Sequence, residues 1–455
     1  MADSSSDLLC PIEFRYGRPT VRALFTRQAR LDRALQVEAA LARAQASVGL
    51  IPAEAAEAIA RAVDRHAVRL ERVDELEAEL RHDVMAIARA LAEASGPAGA
   101  WVHFGATSAD ITETALAIEL RESMGVLAQD VKELVGTLME RAQQHRATPE
   151  IARTHGQFAV PQSFGYKLAV AAAEFGRHWT RLKEIAPRVA AGKIAGAVGT
   201  GAGYGPRASE VEALALRPFG VIADEAPTQL VGRDRLAEFT NWAALVAASA
   251  ERWATEVRNL QRSEIREVAE PFDESKQVGS STMAQKRNPM ASETVSSLAR
   301  LVRALAGPPL DNMIQWHERD LANSANERFV VPHVVVLLDD ILQRLTTIVR
   351  GLTIDERRMA ENLASAAGLP MTESLMLALT AKGMARSDAH ELLRQITRPG
   401  DGRSLTERAL AESRVTRLLS PEEIRAATDP RTYVAAAAAK CDRLLAHLER
   451  TILSA

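Results

Sequence analysis

From about Asp110 to Gln144 apolar residues recur at helical spacing with no proline between them. An uninterrupted amphipathic run of that length commits a chain to helix-on-helix packing. Comparable runs extend from Thr20 to about Leu50, Ser163 to about Arg188, Leu236 to about Glu267 and Val330 to about Arg350, and another begins near Ser292. Pro52 suits the first turn of a second helix. A third is expected from Asp74 to Ala94, ended by Gly96-Pro97 and Gly99. Alanine, leucine, arginine and glutamate dominate and aromatics make up only 4%. The expected fold class is all-α.

With 455 residues the chain can bury a large core in two or three domains. The net charge of −3 argues against a broad nucleic-acid footprint, though not against a local phosphate site. Cys10 and Cys441 form neither a metal spacing nor a disulfide framework, as expected in a reducing cytoplasm. The first residues lack a basic segment followed by an apolar one, so no secretory signal is expected. Apolar runs such as 330–338 are too short to span a bilayer.

Between the helical runs lie short polar patches without period, and candidate chemistry collects there. The most concentrated is Gly279-Ser280-Ser281-Thr282-Met283-Ala284-Gln285-Lys286-Arg287-Asn288-Pro289, followed by Ser292 and Glu293. A serine beside a cation and free backbone donors loses its proton more readily than an isolated one. Lys286 and the Asn288 amide suit a carboxylate that gains further negative charge. Together these are the needs of a β-elimination next to a carboxylate. The alternative is a solvated loop leading into a helix.

Other patches carry the same double reading. Arg15, Tyr16 and Arg18 form a basic, aromatic cluster suited either to pinning the terminus or to touching an anion. His82-Asp83 is placed inside the third helix, where a surface histidine is the plainer interpretation. In Trp101–Ala115, Thr107 and Ser108 offer hydroxyls and helix-start N–H groups as a carboxylate cradle, and plain capping by Ser108 or Asp110 explains the same residues. His103 lies in this segment. Arg153-Thr154-His155-Gly156-Gln157 is a polar patch in which His155 is placed to act as an acid or to orient one. The glycine-rich stretch 192–205 lacks the Gly-Lys-Ser/Thr ending of a P-loop and reads as backbone packing beside a site. Arg319 and Arg328 could grip a phosphate or carboxylate, or pair on a helix surface with Glu318, Asp320 and Glu327.

The 279–288 loop resembles the signature Gly-Ser-Ser-x-Met-Pro-x-Lys-x-Asn of the fumarase/aspartase superfamily. Phe14-Arg15-Tyr16, His82-Asp83, His103 to Ala115, Arg153 to Gln157, the 192–205 loop, Gln229 with Arg233-Asp234-Arg235, and Trp316 to Asp320 resemble its adenylosuccinate lyases in order and spacing. The resemblance implies three helical domains, 1–109, 110–351 and 352–455. The central one would contribute five long helices to a twenty-helix core in a homotetramer, with each active site shared between subunits. It implies a lyase that releases fumarate from a substituted succinate, most similar to those converting adenylosuccinate to AMP in purine biosynthesis. Neither cofactor nor metal is required.

By position, the resemblance makes Ser280 the base, with Ser281 as the alternative, and His155 the general acid oriented by Glu293. It sets His82 near the substrate phosphate. Thr107, Ser108, Lys286 and Asn288 would hold the succinyl carboxylates, with Gln229, His103 and Thr154 also lining the site. Arg15, Tyr16, Arg319, Ser324 and Arg328 would engage phosphate and ribose. Several residues depart from the pattern. Ala284 stands where proline is usual, which implies a more mobile loop. Gln285 stands where histidine or tyrosine is usual and Leu236 where histidine is, Ala325 replaces a second serine, and 273–276 lengthens the approach. Three alternatives follow: a 3-carboxy-cis,cis-muconate cycloisomerase-like enzyme, a secondary-metabolic lyase expelling amine or nitrite, and an inactive structural protein on the same scaffold.

Overall fold

The computed structural model describes residues 8–273, 275, 282–398 and 400–454. Their regular structure is helical apart from three two-stranded sheets, of which only the hairpin Pro149–Thr154/Gln157–Ser163 has strands longer than two residues. The chain forms two compact units. One comprises 1–131, 178–250 and 297–343, and the other 132–177, 251–296 and 344–455. The helices Ser108–Gln144, Phe164–Val189, Arg233–Leu260, Met290–Ala304 and Ser324–Gly351 each have residues in both.

In Ser108–Gln144 the positions Leu127, Val131, Leu134 and Leu138 form a stripe of i, i+4, i+7 and i+11 that is at most 2% exposed. Leu120, Met124 and Val135 are buried as well, so the helix is wrapped on more than one side. In the first unit, Leu31, Leu35, Ile59, Leu76 and Leu91 bring the Arg27–Ser47, Ala53–Asp64, Leu70–Leu80 and Asp83–Ala94 helices around one core. Truncating a residue such as Leu76, fully buried, would cost about 2–5 kcal/mol. In the second, Met371, Leu375, Leu392, Leu405 and Ile424 do the same for the short helices after 368. Among the described residues no helix is long and apolar enough to cross a membrane.

Four expectations are corrected. The single third helix is two, Leu70–Leu80 and Asp83–Ala94, because Arg81 adopts a left-handed φ of 53° and ends the first. The patch around His155 is an antiparallel hairpin, and β-branched or apolar residues at Ile151, Phe158 and Val160 suit strands there. The helix expected to reach Glu267 stops at Leu260. The one expected from Val330 starts at Ser324, because Pro332 falls inside it without breaking it.

Candidate active site

In the first unit, the break at Arg81 makes His82 the N-cap of the next helix. Its Nδ1 accepts from Met85 N at 3.4 Å. The His82 side chain is half-exposed, and its Nδ1 lies 3.6 Å from Asp83 Oδ1. Asp83 accepts from its neighbour Val84 N at 2.8 Å and from Arg328 Nη2 at 3.0 Å. Two segments singled out from sequence, 245 residues apart, thus meet. Arg328 pairs with Asp83 rather than with Glu327.

The His103–Ser108 turn is fastened from below. His103 Nδ1 lies 2.6 Å from Glu38 Oε1, and the Glu38 side chain is only 2% exposed. Burial works against the charged imidazole, but Glu38 outweighs it and raises the His103 pKa. Gln45 Nε2 donates to Phe104 O at 2.6 Å, and Gly105, at φ 73°, packs against the Tyr204 ring. Asp110 is more than a helix cap. Its carboxylate accepts Thr107 N at 2.9 Å, Ala195 N at 3.0 Å and Gly196 N at 3.1 Å, and takes Lys193 Nζ at 2.5 Å. The Asp110 and Lys193 side chains are both fully buried. The glycine-rich stretch therefore braces the cradle of Thr107 and Ser108 through backbone donors. Gly196, at φ 72°, turns its N–H toward the carboxylate.

Gln229 and Arg319 also come together, with Arg319 Nη1 donating to Gln229 Oε1 at 2.8 Å and Gln229 N to Glu318 O at 3.2 Å. The Gln229 segment is held by Glu113, which accepts Val231 N at 3.2 Å and both Nη atoms of Arg233 at 2.5 and 2.6 Å. Arg233 Nε lies 3.0 Å from Glu327 Oε1. One buried guanidinium thus links the helix that begins at Ser108 to the helix that carries Ser324 and Arg328.

In the second unit, Thr154 pairs with Gln157 across a two-residue turn. His155 at φ 54° and Gly156 at φ 75° are both left-handed, the signature of a type I′ hairpin. The turn presents His155 exposed to solvent at the tip. Its base is clamped by Arg153, whose Nη1 and Nη2 donate to Glu267 at 2.8 and 2.7 Å, and Asn362 Nδ2 adds a third bond to Glu267 at 2.7 Å. Further down the strand, burial pushes the Glu150 carboxyl up to about 7, although Lys167 Nζ is 3.6 Å away. Desolvation opposes the Lys167 charge, yet Glu150 and Glu256 outweigh it and raise its pKa.

Ser280 and Ser281 lie outside the described residues; the stems of their loop do not. Glu270 caps the Met290–Ala304 helix from across the loop, with Oε1 accepting Ser292 N at 2.6 Å and Oε2 accepting Ala291 N at 3.1 Å. Gln261 spans the same stems, with Oε1 accepting Glu270 N at 3.0 Å and Nε2 donating to Arg287 O at 3.1 Å. Lys286, in the loop, and Glu293, in the first turn of the helix, are exposed, and Asn288 is half-buried. Among the described residues no group of three or more His, Cys, Asp and Glu side chains is arranged to hold a metal ion.

The structure thus brings together Asp83 with Arg328, Gln229 with Arg319, and Thr107 with its brace. It places His155 on a hairpin, Lys286 and Asn288 in the loop that Glu270 and Gln261 close, and Glu293 in the helix that follows. Sequence reasoning gave no role to Glu38, Lys193, Gln261, Glu267 or Glu270. Each is an ordinary polar residue in or near a helix, and no local spacing distinguishes it from a surface side chain.

A family model described as Lyase matches residues 13–304, and one described as Adenylosuccinate lyase C-terminus matches 368–444. The chain is 42% identical to a curated adenylosuccinate lyase of Pyrococcus abyssi over 441 residues, 96% of this chain and 98% of that one. Among solved structures, a fumarate lyase from Mesorhizobium sp. BNC1 superposes with a TM-score of 0.86 at 33% identity, over 94% of this chain and 98% of that one. A 3-carboxy-cis,cis-muconate lactonizing enzyme from Pseudomonas putida superposes with 0.85 at 31% identity, over 97% and 99%.

Proposed function

The chain belongs to the fumarase/aspartase superfamily, in its adenylosuccinate lyase-like branch, and from that premise we propose that it cleaves adenylosuccinate to AMP and fumarate. The observation that carries the substrate is the match over 368–444 to a C-terminal segment named for adenylosuccinate lyases.

The chemistry is a β-elimination. Ser280 removes the proton from the succinyl carbon β to the departing nitrogen. Electron density moves onto the adjacent carboxylate, which carries two negative charges at the transition state. Donors that strengthen as this charge grows accelerate the step, and losing one typically costs about 10²–10³ in kcat. Lys286 and Asn288 supply such donors, while Thr107 and Ser108 grip the other carboxylate. His155, oriented by Glu293, protonates the nitrogen as the C–N bond breaks. Thr154, His103 and Gln229 line the site, His82 lies near the phosphate, and Arg319, Arg15, Tyr16, Ser324 and Arg328 hold ribose and phosphate.

The remaining parts of the reading are a homotetramer with active sites shared between subunits, domains at 1–109, 110–351 and 352–455, and a cytoplasmic compartment. The test is to follow adenylosuccinate absorbance together with fumarate release, with Ser280→Ala and Ser281→Ala compared. A loss of several orders of magnitude in Ser280→Ala alone assigns the base to Ser280. No turnover by a folded wild-type protein sinks the substrate.

A second reading has its own support. The similarity to a muconate lactonizing enzyme, together with Ala284 and Gln285 in the loop, favours action on 3-carboxy-cis,cis-muconate. Consumption of that compound, with adenylosuccinate untouched, would select it.

A further inference from the structure

The segment from Cys10 to Arg18 is laid along the Ser324–Gly351 helix and runs in the same direction. Cys10 Sγ lies 3.4 Å from His333 Nε2, Gly17 N donates to Asp340 Oδ1 at 3.1 Å, and Arg18 N donates to Asp339 Oδ2 at 2.8 Å. Gly17, at φ 72°, fits against Val336, where a Cβ would collide. The strap ends in an anchor. Arg18 Nε donates to Asp339 Oδ1 at 2.7 Å and Nη2 to Asp130 Oδ1 at 2.6 Å, and both carboxylates are at most 2% exposed. Gln343 Nε2 adds a bond to Asp130 at 3.0 Å. Burial pushes the Asp130 carboxyl up to about 7, as expected where two carboxylates share one guanidinium in the interior.

Arg15 is arranged differently. It is exposed, its guanidinium lies 5.9 Å from the centre of the Tyr16 ring, and it has no carboxylate partner among the described residues. The first turns of the same helix carry Ser324 and Arg328. Arg328 precedes His333 by five residues, a rise of about 7.5 Å along the axis. The strap therefore holds Arg15 and Tyr16 at a set position on the helix that bears the other two groups.

We propose that Arg18 is a positioning residue for anion recognition: bound to Asp130 and Asp339, it holds Arg15 and Tyr16 in register with Ser324 and Arg328, and so sets affinity for a nucleotide 5′-phosphate it does not touch. This rests on the reading of the substrate as a nucleotide. A lysine at 18 keeps the charge but cannot fork between two carboxylates, so the strap loosens while a cation still faces the buried carboxylates.

The test measures binding of AMP and of adenosine by calorimetry to the full-length protein and to Arg18→Lys, Arg15→Met and the double variant. Arg18→Lys is expected to weaken AMP tenfold or more and adenosine less than twofold. In the Arg15→Met background the same change should cost less than it does in wild type, since part of its effect runs through Arg15. Equal losses for AMP and adenosine, unchanged AMP affinity, or fully additive losses would overturn the proposal. If Arg18→Lys does not fold, Asp340→Ala, which removes the acceptor of Gly17 N, should weaken AMP at least threefold with adenosine unchanged, and no change overturns it equally. Wild-type protein that binds neither AMP nor inorganic phosphate removes both this proposal and the nucleotide reading. Wild-type protein that binds AMP without consuming adenylosuccinate removes only the substrate assignment.

Discussion

Arg153 and Glu267, 114 residues apart, form a forked ion pair with N···O distances of 2.8 and 2.7 Å, and the Glu267 side chain has no solvent exposure. Arg153 lies two residues before the His155 turn, and Glu267 three before Glu270, which closes the stems of the 270–291 loop. The pair therefore fixes the footing of both features within one unit.

Removing one partner strands the other charge in the interior. Glu267→Ala is expected to destabilise the second unit by about 3–5 kcal/mol, read as a fall in thermal midpoint. Adding Arg153→Met should recover part of that loss, because no buried charge is then left unpaired. An unchanged midpoint for Glu267→Ala alone would show that the clamp is dispensable.

Two glycines with positive φ should respond differently to alanine. At Gly156 a Cβ would meet nothing within 4 Å, so only the left-handed backbone opposes it, at about 1–2 kcal/mol. At Gly199 a Cβ would strike the backbone carbonyl of Pro227, which cannot swing away as a side chain can. Gly199→Ala should lower the thermal midpoint several times further than Gly156→Ala. Similar losses would contradict the described approach of Gly199 to Pro227.

Glu150 makes stability depend on pH. Its folded pKa, about 7, lies above the ordinary 4.5, so the folded state holds the proton more tightly. Its contribution is complete below about pH 4.5 and is lost as pH rises through 7. Glu150→Gln imitates the protonated form. Its thermal midpoint should match wild type in acid and exceed it by several degrees at pH 8, on a scale of about 2–4 °C per kcal/mol. A constant offset across that range would rule out a titrating Glu150.

The His103–Glu38 pair has a related dependence with a different window. The imidazole pKa is raised above 6.5, so its stabilisation is complete below 6.5 and fades as pH climbs through the raised value. Glu38→Gln should shift the His103 ring titration downward by NMR, and should destabilise more at pH 6 than at pH 9. A titration unmoved by the substitution would mean that Glu38 does not hold the charge.

Helical periodicity and punctuation carried most of the architecture, because a buried stripe at 127, 131, 134 and 138 is written in consecutive turns. The polar patches were legible for a similar reason: groups at 103–108, 153–157 and 282–293 break the period where the chain leaves a helix. The break at Arg81 was not legible, since an arginine in a left-handed conformation carries no residue-type signal as glycine does. The hairpin at 149–163 was missed because a register shift between Ile151 and Arg153 breaks the alternation and its turn uses histidine at the first left-handed position.

The sequence by itself determined the all-α class, the superfamily and the residue types at the site, all of which depend on local order along the chain. Only the tertiary structure decided what holds them. Asp110 with Lys193, Arg153 with Glu267 and Arg18 with Asp130 and Asp339 lie far apart in sequence, and the partners share no period. Buried charges need a partner wherever the fold can bring one, and that choice is made by packing.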